Sequence, residues 1–210
     1  IGNLSVDIGR QMGNSDELTF NRYILAYTKS PMRQMSVSLQ AQLQDRPSGQ
    51  TWYGFLNFSW FFDQGRNLYS SARYENEKTL GSVNFSQNAP TGEGWGYNFG
   101  VQQQAQGTDY TAWTQNKRQH GQIDVSMMRR EYSSSTDTNW QASWSGALAY
   151  TGGDYAFTRP ITQSFAVVQL PEIADVSVLH NGSEVGRTDE HGILFLPDLA
   201  SYGFHQISVE

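Results

Sequence analysis

Met35-Ser36-Val37-Ser38-Leu39-Gln40-Ala41-Gln42-Leu43-Gln44 alternates apolar and polar side chains without a break. In an extended chain successive side chains leave opposite faces. Met35, Val37, Leu39, Ala41 and Leu43 therefore share one surface, and Ser36, Ser38, Gln40, Gln42 and Gln44 share the other. Water-soluble sandwiches and membrane barrels are both built from such ribbons. A sandwich packs the apolar rows against a second sheet, whereas a barrel turns them to hydrocarbon.

The period of two recurs on both sides of this stretch. Leu4, Val6 and Ile8 alternate ahead of a turn predicted at Gly13-Asn14-Ser15-Asp16, and Leu18 to Thr28 reads as a second strand closed by Ser30-Pro31. Trp52, Leu56, Phe58, Trp60 and Phe62 share a face opposite Asn57 and Ser59, although Tyr53, Phe55 and Phe61 fall on the polar side. Asn67 to Tyr74 and Thr79 to Gln87 alternate more faintly, and Tyr110 to Thr114 reads as a short strand. Trp95, Tyr97, Phe99 and Val101 oppose Gly94, Gly96, Asn98 and Gly100. Ile123, Val125 and Met127 oppose Gln122, Asp124 and Ser126. Trp140, Ala142, Trp144, Gly146, Leu148 and Tyr150 oppose Gln141, Ser143, Ser145, Ala147 and Ala149. This predicts about ten strands, several with the roughly 9–11 residues that cross a bilayer at a tilt; sandwich strands run closer to about 5–6.

Composition agrees with strands half in water. Aromatic residues make up 13% of the 210, with six Trp and eleven Tyr, yet the mean hydropathy is −0.56. Rings that gather at membrane interfaces, on a framework with one polar face, give that combination. The net charge is −6 and the basic residues are scattered, which argues against a nucleic-acid partner. The absence of cysteine excludes disulfide staples and thiolate metal sites. No apolar run approaches the roughly 18 residues of a spanning helix. The sequence opens on Ile1 with neither an initiator Met nor a signal peptide, so a processed chain or a piece of a longer one is expected.

Motifs that could carry chemistry have plainer readings. Gly92, Gly94, Gly96 and Gly100 lack the strand-to-helix setting of a dinucleotide loop, and small residues leaving room in a sheet explain them better. Asp189 and His191 read as turn chemistry without a nucleophile beside them. His120, His180 and His205 show no metal-like spacing. The glycosylation patterns at Asn57, Asn84 and Asn181 are read as chance, two of them falling inside predicted strands. Lys117-Arg118 and Arg129-Arg130-Glu131 fit strand ends or solvated loops equally. No constellation supports an enzyme, and no cofactor is expected.

From about Ser164 the pattern changes. Phe165-Ala166-Val167-Val168-Gln169-Leu170-Pro171 is more uniformly apolar, Asn181-Gly182 predicts a hairpin with a type I′ turn, and Thr188-Asp189-Glu190-His191-Gly192 predicts a second tight turn before Ile193-Leu194-Phe195-Leu196-Pro197. Shorter strands with closer turns suggest a small β-sandwich module beginning near Pro160 to Ser164.

Several landmarks in order resemble the outer-membrane ushers of the chaperone–usher pilus pathway. Gly146-Ala147-Leu148 with Gly152-Gly153 is similar to the last barrel strand and its turn. Thr158-Arg159-Pro160-Ile161 leads to Ser164-Phe165-Ala166-Val167-Val168, similar to the start of the family's C-terminal domain. Asn181-Gly182, Val185-Gly186-Arg187-Thr188-Asp189 and Gly192, then Leu196-Pro197-Asp198-Leu199 with Tyr202 and Ile207, resemble its hairpin and following strand, with His205 where ushers usually carry Asn. The last third carries the likeness; the first 140 residues match as generic barrel strands.

The resemblance implies an all-β chain: residues 1–162 as antiparallel transmembrane strands of a larger barrel, and 163–210 as the start of a periplasmic β-sandwich domain. It implies an outer-membrane secretion pore that receives periplasmic chaperone–pilus subunit complexes and passes pilus subunits outward. Its other neighbours would be the lipid bilayer and the remainder of the usher barrel and plug. Ser36, Ser38, Gln40, Gln42, Asp124, Ser126, Ser143 and Ser145 would line the pore; Met35, Val37, Leu39, Leu43, Ile123 and Val125 would face lipid. Ten strands cut from a larger barrel leave two open edges, which hydrocarbon does not tolerate, so this piece alone is not expected to close. The residues themselves leave two other readings open, a secreted or surface adhesive β-sandwich and a small self-contained porin-like barrel. The soluble-looking end weighs against the latter.

Overall fold

The computed structural model describes residues 2–13, 19–75 and 78–210. Ten strands form one antiparallel sheet, each bonded to its neighbours in sequence. They are β1 (Asn3–Gln11), β2 (Phe20–Met32), β3 (Met35–Arg46), β4 (Gly49–Phe61), β5 (Arg66–Glu75), β6 (Lys78–Gln87), β7 (Gly94–Gln104), β8 (Gly107–Arg118), β9 (Gly121–Tyr132) and β10 (Thr136–Ser145). In that order β1 and β10 each have a single partner. Contacts group the chain into two units. One holds Ile1–Gln87, Asn98–Ala112 and Met127–Asn139; the other holds Asn88–Tyr97, Trp113–Ser126 and Trp140–Glu210.

Register converts the alternation of single strands into rows. Leu4, Tyr27, Leu39, Leu56 and Ala72 stand opposite one another across β1 to β5. One step along each strand, Asn3, Thr28, Ser38, Asn57, Ser71 and Ser82 form the row across β1 to β6. A slip of one residue anywhere would mix the two, so each hairpin must hold its register for the faces to stay sorted. The rows keep their exceptions: Tyr53 and Phe55 lie on the polar side of β4, their rings stacked with centroids 6.5 Å apart.

Several strands differ from the sequence reading. The second strand begins at Phe20 and runs to Met32, past Ser30-Pro31. The turn predicted at Gly13 to Asp16 lies largely outside the described residues. The short strand predicted at Tyr110 to Thr114 is a full one of 12 residues. Its alternation is masked because Trp113 lies on the same side of β8 as Gln115, which bonds Asp124, while Thr114 and Asn116 take the other side. The strand predicted from Trp140 to Tyr150 is broken at Gly146. Its first part is β10, and its second, β11 (Ala147–Thr151), pairs instead with β12 (Asp154–Thr158). A Cβ on Gly146 would come 3.1 Å from the Thr158 carbonyl oxygen, so the ladder changes partner where the chain has no side chain.

Glycines expected to leave room do so. A Cβ at Gly96 would sit 2.6 Å from the Ala89 nitrogen, at Gly100 2.6 Å from Thr111 Oγ1, and at Gly92 2.6 Å from the Glu184 carbonyl oxygen.

The buried Thr158, which ends β12, and Arg159 lead into five short strands: β13 (Ser164–Gln169), β14 (Ser177–His180), β15 (Ser183–Arg187), β16 (Ile193–Leu199) and β17 (Ile207–Val209). β13 pairs with β16, and β15, β14 and β17 form a second sheet. Val178, Val185, Leu194 and Leu196 make the core between them, with Ala166 and Val168 against it. The Asn181-Gly182 turn has φ of 50° and 79°, the paired positive values of a type I′ turn. Asp189 carries the second turn, its Oδ1 accepting from the backbone N–H of His191 at 2.9 Å and of Ile193 at 2.8 Å. Gly192 closes it at φ 75°, where a Cβ would also collide with the Leu170 carbonyl oxygen. Gly192→Ala should therefore cost about 1–3 kcal/mol, read as a lower denaturation midpoint for this module.

Every buried hydrophobic residue described lies at Ala149 or beyond. No hydrophobic side chain of β1 to β10 is among them. Leu39 is 51% exposed and Leu4 67%. A soluble sandwich requires a second layer on these rows, and among the described residues none buries them.

Candidate functional site

The polar rows are the most organised surface of the sheet. Hydroxyls and amides on neighbouring strands satisfy one another: Ser36 and Ser59 oxygens lie 2.8 Å apart, Ser71 and Ser82 2.7 Å. Tyr69 Oη donates to Asn57 Oδ1 at 3.0 Å and Ser86 Oγ to Asn67 Oδ1 at 2.8 Å. Asn84 and Asn98 exchange two bonds, 2.9 and 3.2 Å. Charges are met locally. Arg22 pairs with Asp7 and Arg73 with Glu75, each at 3.3 Å. On β9 the two oxygens of Asp124 take Gln115 Nε2 and Gln122 Nε2, both at 2.7 Å. Side chains bonded sideways have fewer free donors and acceptors to offer anything that passes over them. A hollow of 520 Å³ on this face is bordered by Asn57, Tyr69, Ser71, Arg73 and Ser82.

Among the described residues of β1 to β6, the opposite face has no such network. Leu4, Leu25, Tyr27, Leu39 and Leu56 border a shallow hollow of 410 Å³ there. An exposed apolar surface running across several strands marks contact with something apolar.

The residues singled out from sequence fall as follows. Ser36, Ser38, Gln40 and Gln42 are half-buried on the polar side of β3; Met35, Val37 and Leu43 are half-buried and Leu39 exposed on the other. On β9, Asp124 and Ser126 are half-buried, and Ile123 and Val125 exposed on the reverse side. Ser143 and Ser145 lie on β10, where nearly every residue is exposed, so burial does not separate them from Trp140 and Trp144. Asn57, Ser71, Ser82, Asn84 and Asn98 are equal members of the polar network that sequence reading did not single out. Their signal was present in the alternation with Phe58, Ala72, Val83 and Phe99. On β5 and β6 it is diluted by Ser70, Gly81 and Thr79 on the apolar side.

In the C-terminal module the described ion pairs cluster at one residue. Arg187 donates to Asp175 and Glu184, at 3.2 Å each. The hydrogen bond and charge of Asp175, and then the charge of Glu184, raise its pKa above the ordinary guanidinium value.

Comparison with known proteins gives one family and one fold. The family model described as outer membrane usher protein matches residues 2–210. No curated protein matches the chain. Among solved structures, it is similar to a chain in the E. coli P pilus tip assembly intermediate PapC-PapD-PapK-PapG, in its second conformation. The TM-score is 0.59 at 15% sequence identity, over 100% of this chain and 26% of that one. The chain thus spans about a quarter of the length of its structural neighbour.

Proposed function

The chain belongs to the outer membrane usher protein family, and on that premise we propose that its ten strands are one arc of a secretion pore for pilus subunits. In this reading the apolar rows of β1 to β10 face lipid, and the polar rows face the lumen. Lipid contact rests on Met35, Val37, Leu39, Leu43, Ile123 and Val125. The lumen side is lined by Ser36, Ser38, Gln40, Gln42, Asp124, Ser126, Ser143 and Ser145, joined by Asn57, Ser71 and Ser82.

The observation that carries the reading is the pairing of two opposite properties in one sheet. One face is apolar and uncovered; the other is polar, with Ser36, Asn57, Ser71, Ser82 and Asp124 bonded to polar neighbours. A folded subunit sliding along hydrated hydroxyls and amides, several of them satisfied by their neighbours, meets little apolar surface that could hold it. The full-length protein receives complexes of a periplasmic chaperone with pilus subunits, joins the subunits by strand exchange, and passes the polymer outward. The rest of the barrel and the plug close the pore. Residues 163–210 begin a periplasmic module that helps to hold the incoming complex. The neighbour named as a P pilus tip assembly intermediate supports this set of partners.

The test is pilus output from the full-length protein with its own chaperone and subunits. Each leucine that a passing subunit covers would hold it by up to about 2 kcal/mol. Ser38→Leu combined with Ser71→Leu should therefore reduce surface pili severalfold at an unchanged level of protein in the outer membrane. Val37→Leu, on the reverse face, should leave output unaltered. Full output from the double variant, or equal losses from both, would refute the lumen assignment.

A further inference from the structure

Residues 88–93 join β6 to β7, and glycines let them fold back closely on their surroundings. Gly94 has φ 143°, and a Cβ there would come 2.7 Å from Pro90 Cγ. Gly92 is buried and lies on the backbone of β15. A Cβ on it would stand 2.6 Å from the Glu184 carbonyl oxygen and 2.8 Å from Val185 Cα. Val185 belongs to the core of the C-terminal module, so the segment is seated directly on one of its core strands.

Charged groups hold the same segment. Lys117, on β8, donates from Nζ to the Pro90 carbonyl oxygen at 3.1 Å. Arg159, where the chain leaves β12 for the module, is 8% exposed, and its Nη1 has no hydrogen-bond partner among the described residues. Burial holds this guanidinium below its ordinary pKa, opposed by the charge of Glu93 and then by that of Asp198. Asp198 is itself fixed, its Oδ1 accepting from Thr162 N–H at 3.2 Å and from Thr162 Oγ1 at 2.6 Å. A buried cation that also feels the like charge of Lys117 depends on both carboxylates.

We propose that residues 88–93 are a strap that ties the C-terminal module to β7 and β8, seated at Gly92 and locked by the attraction of Glu93 to Arg159. The covalent link, residues 159–163, is a single thread, and modules joined by one thread ordinarily move relative to what they are joined to. The strap is a second attachment and removes that freedom. A load taken up by the module then passes to the strands themselves. The inference does not depend on which face of the sheet meets lipid.

The test is pulsed electron resonance on the full-length protein in detergent, made cysteine-free and spin-labelled at Val125→Cys on β9 and Glu190→Cys in the module, both exposed positions. The protein with its strap intact should give one narrow distance. In Gly92→Leu the segment loses its seat on β15, and the distance should spread over a broad range while amides of β14 to β16 stay protected from hydrogen exchange. Glu93→Lys, which sets a third cation beside Lys117 and Arg159, should do the same, and it is read in place of Gly92→Leu if that variant does not assemble. Thr91→Leu, an exposed neighbour of the seat, should keep the narrow distance. A broad distance with the strap intact, an unchanged narrow one after Gly92→Leu, or equal spreading by Thr91→Leu would overturn the strap.

Discussion

Arginine in place of Leu39 should lower the stability of the membrane-embedded protein by about 2–4 kcal/mol, whereas arginine in place of Gln40 should be nearly neutral. The two positions are adjacent, so propensity, strand pairing and depth are almost the same and only the direction of the side chain differs. Leu39 sits between Tyr27 and Leu56 on the uncovered apolar face, where lipid tails would have to accept a charge. Gln40 sits between Ala26 and Phe55 on the face that holds the polar network. Denaturant titration of the full-length protein folded into vesicles measures both. Equal costs would remove the assignment of faces.

Leu194→Ala should cost a similar or larger amount, about 2–5 kcal/mol, through a different mechanism. Leu194 is 2% exposed in the core formed with Val178, Val185 and Leu196, and its methyl carbons would touch a Cβ placed on Gly186. Removing it leaves a cavity that neighbours on three strands cannot fill together. The same truncation at Leu39 should cost much less, because mobile lipid chains fill a gap that a packed interior cannot. Amide hydrogen exchange separates the effects. Leu194→Ala should raise exchange in β14 to β16 while β1 to β6 keep their protection. Loss of protection throughout the sheet would show that the module and the strands do not unfold separately.

How much of this was legible in the sequence depended on which interaction sorted each segment. β3 could be read because ten consecutive residues, Met35 to Gln44, obey one rule without exception. β5 and β6 were faint, since Ser70, Gly81 and Thr79 occupy the apolar side, and only the register with β4 shows that they share its faces. The alternation of β8 is obscured because Trp113 and Asn116 stand on the sides opposite to their polarity. The break at Gly146 was invisible: the alternation of Trp144, Leu148 and Tyr150 runs straight through it, while the hydrogen-bond partner changes from β9 to β12. The turns at Asn181-Gly182 and Asp189 to Gly192 were legible because their chemistry is local. The hydrogen bond between the rings of His180 and His205, 2.9 Å from Nε2 to Nδ1, was not, because sequence spacing carries no information about a contact made by strand pairing over a long separation.

Side-chain accessibility in the bilayer tests the account most directly. Because this chain contains no cysteine, single cysteines can be placed along β3 in a cysteine-free full-length protein, spin-labelled, and exposed to oxygen and to a water-soluble paramagnetic reagent. Oxygen, which concentrates in hydrocarbon, should relax labels at Val37, Leu39, Ala41 and Leu43. The water-soluble reagent should relax those at Ser36, Ser38, Gln40 and Gln42, the two profiles alternating out of phase. Labels at Leu39 and Ala41 shielded from oxygen would mean that protein covers the apolar rows, and the account of this chain as a wall of a membrane pore would be contradicted.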